Sequence, residues 1–494
     1  MSYREEIAAV ASAPAPKRRS RRRWVWRAAL GLSLATASTI IGIVIDWKRT
    51  RHDGDAKLAA ITTRLDADDP GWRFEAILAD HNSKVPPPET NSALKAVAIV
   101  DGFPKSADAE HSPDALLGKI NDGRLPNELP NAGLWVELES NYRAHEKGIL
   151  ELRAWTANSP RGRFKSEYQG GNPFSIFHTD TQKLREPPAK LAWDSMRWAY
   201  RRQPDHALAG AAANLHLIRS VDFEPMVIPY LVRIATTAPA LKSIEQTLAW
   251  CSNASEPALA SIQELVGLEG NGVSIRPALM GERGLMILGL EKYDRGEITI
   301  FDVKSKVWYL DTLHGNQYLP SNIAFIIERY DELLSMLDLP PDKKATVIRG
   351  YHFPSRTKEL IVARLLMPAV DKVLMAEIRY QAKCVCTEVG IACERYRLKN
   401  GRWPNSLDDL QSFGIAKGVV DPFDGQPLRY RVETDGVSVY SIGTNGIDDG
   451  GDIVRRTGNP DDVGFRLWNK ANRKVPTAKP RDLEPESDEL PPKP

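Results

Sequence analysis

The acidic stretch from Thr444 to Ile453 reads Thr-Asn-Gly-Ile-Asp-Asp-Gly-Gly-Asp-Ile and is the part of this chain best suited to hold a ligand. Asp448, Asp449 and Asp452 fall within five positions, among glycines that can bend backbone carbonyls inward. Calcium takes about six to eight oxygens from carboxylates, carbonyls and water, and this run offers the first two. The spacing is not that of an EF-hand, which alternates its acidic residues and closes on a Glu. Asp and Gly are also ordinary turn formers, so a calcium loop and a plain polar turn are both open. Calcium is the one cofactor the residues raise.

Other chemistry is thin. The nine histidines are scattered, without a pair at helical spacing, and no nucleophile-elbow, Walker A or dinucleotide motif occurs. No catalytic residue is therefore assigned. An envelope-polymer hydrolase would need carboxylates converging in a cleft, and Asp66, Asp68, Glu137 and Glu282 are the first to examine. Glu282-Arg283, in the apolar run Ala278 to Leu290, reads as an intradomain ion pair. Trp193, Trp198 and Tyr200, beside Arg197, Arg201 and Arg202, read either as a site for an anionic partner or as core aromatics with snorkelling arginines. The four cysteines show no metal spacing. Cys384 and Cys386 point to different faces of a helix and Cys386 and Cys393 lie two turns apart, which leaves buried thiols or a bridge from Cys251.

The elements that would position these residues are mainly helical. From Gln182 to Leu290 the apolar spacing predicts helix after helix, with Leu208, Ala212, Leu215 and Ile218 on one face. Ser255 before Glu256-Pro257 is an N-cap signal. Leu134 to Trp155 predicts another helix, Ile298 to Tyr309 a strand pair, and Ser321 to Met336 a further helix. A long helix follows Pro368, with an apolar stripe through Leu374, Ile378, Ala382, Val385, Val389, Ala392 and Tyr396, capped at Asn400-Gly401. Leu428 to Val432 and Gly436 to Tyr440 predict a hairpin closed at Asp435-Gly436.

Three blocks in this C-terminal region occur in a fixed order: Asn400-Gly401-Arg402-Trp403-Pro404, then Asp421-Pro422-Phe423-Asp424-Gly425, then Ser441-Ile442-Gly443-Thr444-Asn445-Gly446. Together they resemble the globular head of the type II secretion major pseudopilins. That resemblance covers about a sixth of the chain and implies a small α+β module whose last block precedes a calcium-holding loop. No prepilin processing site precedes Ala28, and the module lies far from the N-terminus, so the resemblance does not imply a filament subunit. The whole layout also resembles uncharacterised membrane-anchored envelope proteins of planctomycete-type bacteria.

The N-terminus supplies the location. Lys17 to Arg27 holds seven basic residues and no acidic one. Ala28 to Ile45 follows without a charge, long enough as a helix to cross about 27 Å of hydrocarbon. Trp24, Trp26 and Trp47 sit where interfacial aromatics belong, and the charge bias predicts a cytoplasmic N-terminus with residues 47–494 outside. Subtracting the seven basic residues from the net charge of +2 leaves the rest at −5, which argues against a nucleic-acid partner.

The expected organisation is a disordered basic cytoplasmic tail (1–23), an uncleaved signal-anchor (24–47), a stalk and mixed region (48–180), an α-helical hairpin domain (181–370), the pseudopilin-like α+β module (371–460) and a disordered Pro/charged tail (465–494). The function this predicts is a single-pass protein of the inner cell membrane with a non-enzymatic interaction or structural role. Its partners would be the membrane and an envelope protein. The alternative is the membrane-anchored hydrolase.

Overall fold

A computed structural model describes residues 18–104, 113–121, 125–166, 168, 170–176, 178–300, 315–351, 358–367, 370–453 and 461–474. The chain is mainly helical, with a small antiparallel sheet near its C-terminus. The first helices are α1 (Arg18–Asp68), α2 (Phe74–Ser83), α3 (Ser92–Asp101), α4 (Pro113–Asn121) and α5 (Ala132–Arg153). After β1 (Gly162–Arg163) come α6 (Thr179–Lys183), α7 (Glu186–Tyr200) and α8 (Pro204–Arg219). Strand β2 (Val221–Asp222) precedes α9 (Val227–Trp250), α10 (Glu256–Gly272), α11 (Arg276–Asp294) and α12 (Gly315–Met336). The remainder comprises α13 (Pro341–Gly350), α14 (Ile361–Leu366), α15 (Val370–Asn400), β3 (Arg429–Glu433), β4 (Gly436–Ser441) and β5 (Val463–Trp468). Most of the expected strand pair at 298–309, the Pro368 start of the long helix, and the tails at 1–17 and 475–494 lie outside the described residues.

Local chemistry sets several helix ends. Ser255 caps α10 by accepting from the Ala258 amide, as expected. Asn131 does the same for α5 through Leu134, and α15 ends at Gly401, whose φ of +72° is the left-handed turn that glycine permits.

Among the described residues, α1 is the one helix long and apolar enough to cross a membrane, and its apolar window is not buried by the rest of the chain. It runs unbroken into the body. Residues 48–68 were expected to be a polar stalk, but they are docked on α12. Ile61 and Leu65 are buried there, and a Cβ at Gly54 would stand 2.8 Å from the Ser321 hydroxyl. Arg51 bonds both oxygens of Asp294, at 2.9 and 2.5 Å. Lys57 reaches Glu328 at 2.9 Å and Arg64 reaches Asp331 at 2.5 Å. The apolar i, i+4 pair at 61 and 65 is what makes this segment a packing face and not a spacer.

Helix α15 also departs from the single stripe expected of it. From Cys384 to Glu394 it is buried almost all round, because three layers close on it. Gly270 lets α10 approach, since a Cβ there would stand 2.9 Å from that of Cys384. Gly390 makes room for the Phe465 ring, which a Cβ would meet at 2.3 Å. The third layer is α9, whose buried Glu245 accepts from the Arg466 amide and from Lys383. Leu215, Leu248, Val266, Val389, Val439 and Phe465 consequently share one core across α8, α9, α10, α15 and the sheet.

The sheet has the order β3-β4-β5, antiparallel throughout, with Tyr430 opposite Val439 and Val439 opposite Phe465. The expected hairpin is β3 and β4. The third strand was not expected, because residues 465–494 read as a disordered tail. Residues 463–468 instead complete the sheet, and 469–474 pack behind it. Val463, Phe465 and Leu467 alternate, and all three are buried. Trp468 joins Trp250 and Cys251 in a neighbouring cluster.

Candidate functional site

The acidic loop hangs from the end of β4. Its anchor is Asp421, fully buried, which accepts from the Phe423 and Ile442 amides at 2.8 and 3.0 Å and from the Ser441 hydroxyl at 2.7 Å. Arg429 donates to it at 2.6 Å and also grips Asp424 at 2.6 Å. The Asp-Pro-Phe-Asp-Gly block thus ties a turn to the sheet edge.

Asp448, Asp449 and Asp452 are all exposed. Asp448 accepts from the Gly450 amide at 2.9 Å, and Asp449 accepts from Asn445 Nδ2 at 3.1 Å and the Asp461 amide at 3.0 Å. Among the described residues no three His, Cys, Asp or Glu side chains gather in a metal-holding group. The carboxylates that organise the loop are Asp461 and Asp462, which the sequence reading did not single out. Asp461 accepts from the Thr444 and Asn445 amides at 2.7 and 3.1 Å, from the Thr444 hydroxyl, and from Arg379 at 2.7 Å. Asp462 accepts from the Asp449 and Gly451 amides at 3.3 and 2.8 Å. Burial pushes Asp461 up, but the Thr444 bonds and Arg379 outweigh it and hold the carboxyl below its ordinary value. Burial dominates at Asp462, helped by the charges of Asp449 and Asp448, and raises it. The loop's donors mostly point at its own carboxylates, which is the chemistry of a tied turn.

The other candidate residues are scattered. Asp66 accepts from Trp72 Nε1 at 2.9 Å, Asp68 is exposed, and Glu137 stands on α5. The expected Glu282–Arg283 pair does not form. Neighbours in a helix diverge by about 100°. Arg283 instead bonds Asp69 at 2.5 Å and Asp331 at 2.8 Å, while Glu282 accepts from the Val227 amide.

The aromatic–arginine set is core. Trp193 is fully buried, Tyr200 stacks on Trp135, and Trp198 stacks on His206. Arg197 does not snorkel: it is buried, forks onto Glu139 with two bonds of 2.7 Å, and lies 3.6 Å over the Tyr142 ring. Arg202 bonds the Trp250 carbonyl. All four cysteines are free and buried, so no bridge runs from Cys251. Burial pushes the Cys251 thiol up to about 11.

A cleft of about 780 Å3 lies elsewhere among the described residues, between α2, β1, β2, α9 and the start of α11. Two arginine pairs line it. Arg161 and Arg163, on either side of Gly162, both reach Asp222 on β2 at 2.9 Å. Arg219, at the end of α8, and Arg233, on α9, both reach Glu269, at 3.3 and 2.9 Å. Glu269 is fully buried and also accepts from the Tyr380 hydroxyl at 2.6 Å. Glu224 lines the cleft too and accepts from Thr181 at 2.6 Å and His178 at 3.4 Å. Burial would raise Glu224, but these bonds prevail and lower it. Arg219 and Gly272 also line an adjoining cleft of about 680 Å3 against α10 and α15. No protein-family model, no characterised protein and no solved structure matches the chain.

Proposed function

We propose that this is a single-pass, membrane-anchored envelope protein, N-terminus in the cytoplasm, whose outer helical body serves a structural or interaction role toward another envelope protein. The observation that carries this reading is α1, which continues without a break from an unburied apolar span into residues packed on α12. The basic run before the span and the tryptophans at its ends supply the orientation. The C-terminal α15 and the sheet, whose sequence blocks at 400–404, 421–425 and 441–446 resemble those of a pseudopilin head, would act as a packed cap of the body. Calcium at Asp448, Asp449 and Asp452 belongs to the same proposal only as a ligand recruited by rearrangement of the loop. Asp66, Asp68, Glu137 and Glu282 do not line the large cleft, so nothing here favours the hydrolase alternative.

The test is topological. A single cysteine replacing Ser2 and another replacing Val432, which is exposed on β3, would be labelled in intact cells with a membrane-impermeant maleimide, in a background with the buried cysteines retained. Labelling at 432 but not at 2 supports the reading. Labelling at 2 alone, or extraction of the protein by carbonate, sinks it.

A further inference from the structure

We infer that the cleft between β1–β2 and α8–α9 binds a ligand bearing an oxyanion, a carboxylate or a phosphate, at its two arginine pairs. In each pair two guanidiniums share one carboxylate, Asp222 in one and Glu269 in the other. Each triad therefore keeps one positive charge. It also keeps donors: among the described residues, Arg161 and Arg219 each spend a single N–H on their carboxylate, and a guanidinium has five.

Of the other acidic groups lining the cleft, Asp69 is paired with Arg283 and Asp80 with Lys84, while Glu224 accepts hydrogen bonds from Thr181 and His178. Planar guanidinium forks suit two-oxygen groups such as carboxylate and phosphate. Phe223 and Tyr230 supply apolar wall beside the charges. Since Arg219 also lines the adjoining cleft, the anion would sit where the two spaces join, and a larger ligand would have room to continue along α10.

The experiment titrates the full chain in detergent micelles with inorganic pyrophosphate and, separately, with citrate, at matched chloride, by calorimetry. Binding of pyrophosphate alone assigns phosphate chemistry, and binding of citrate alone assigns carboxylate chemistry. The double variant Arg161→Gln, Arg219→Gln should weaken the responding probe about ten-fold or more. Asp222→Asn, which releases two guanidiniums from their shared partner, should tighten it. Higher salt should weaken binding in the wild type. No heat with either probe, or equal affinity in the double variant at an unchanged melting temperature, overturns the inference.

Discussion

The acidic loop and the arginine cleft are both clusters of like charge, yet they are opposites in how far their hydrogen bonds are spent. In the loop, Asp421 and Asp461 each take at least four donors, from backbone amides, hydroxyls and an arginine. In the cleft, Arg161 and Arg219 each reach one carboxylate oxygen. A charge cluster with its bonds closed internally is a fastening. One with bonds left over can receive something.

The comparison breaks first, and with the largest effect, at the buried closed centres. Glu394 is fully buried, gripped by Arg473 at 2.8 and 2.7 Å and by Arg397 at 2.8 and 2.7 Å. Glu394→Ala strands two arginines and should cost about 3–5 kcal/mol, read from the denaturant midpoint. Asp421→Ala, for the same reason, belongs in that range. A loss near zero at both would mean these centres are not fastenings.

Asp461→Ala, at a largely buried side chain, should cost about 1–3 kcal/mol by leaving the Thr444 and Asn445 amides without their acceptor. The pH limb follows from its depressed folded-state value. Its contribution is present above the unfolded carboxyl range and is lost as pH falls through the lower folded value. Asp461→Asn should accordingly flatten the acid side of the stability curve below about pH 4. Asp462 works the other way, because its raised value withdraws stability as pH rises through it.

On the cleft side the stability changes should be small. Arg161→Gln with Arg219→Gln should move the midpoint by only about 0.5 kcal/mol; a loss as large as that at Glu394 would make the arginines structural and erase the contrast. The smallest effect is expected from calcium. Asp449 already accepts from Asn445 and the Asp461 amide, so calcium and chelator should give the same melting temperature. A clear rise with calcium would show that the loop exchanges its own donors for a cation.

Much of the frame was legible in the chain because its signals are local. Ser255 before Pro257, Gly401 after a long apolar stripe, and Asp435-Gly436 between two short alternating runs each specify an element by neighbours a few positions away. The candidate sites were harder for the opposite reason. Asp461 serves residues 16 and 17 positions back. Arg161 and Arg163 find Asp222 across 61 and 59 positions, and Arg219 finds Glu269 across 50. No periodicity encodes such pairings. Strand β5 lay between: the alternation at 463, 465 and 467 was visible, but the charged composition around it masked the strand. Gly390, which makes room for Phe465, gains meaning only once the two are known to meet.

The unbroken α1 has a geometric consequence for the whole molecule. A helix turns about 100° and rises about 1.5 Å per residue, so span and body share a single azimuth. With Arg51 pinned to Asp294 six residues, about one and two-thirds turns, beyond Ile45, the compass direction in which the cleft would face in the proposed membrane plane is set by residue count. Adding or deleting one residue between Asp46 and Thr50 would swing the body about the spindle by more than a quarter of a turn while leaving every contact inside it intact.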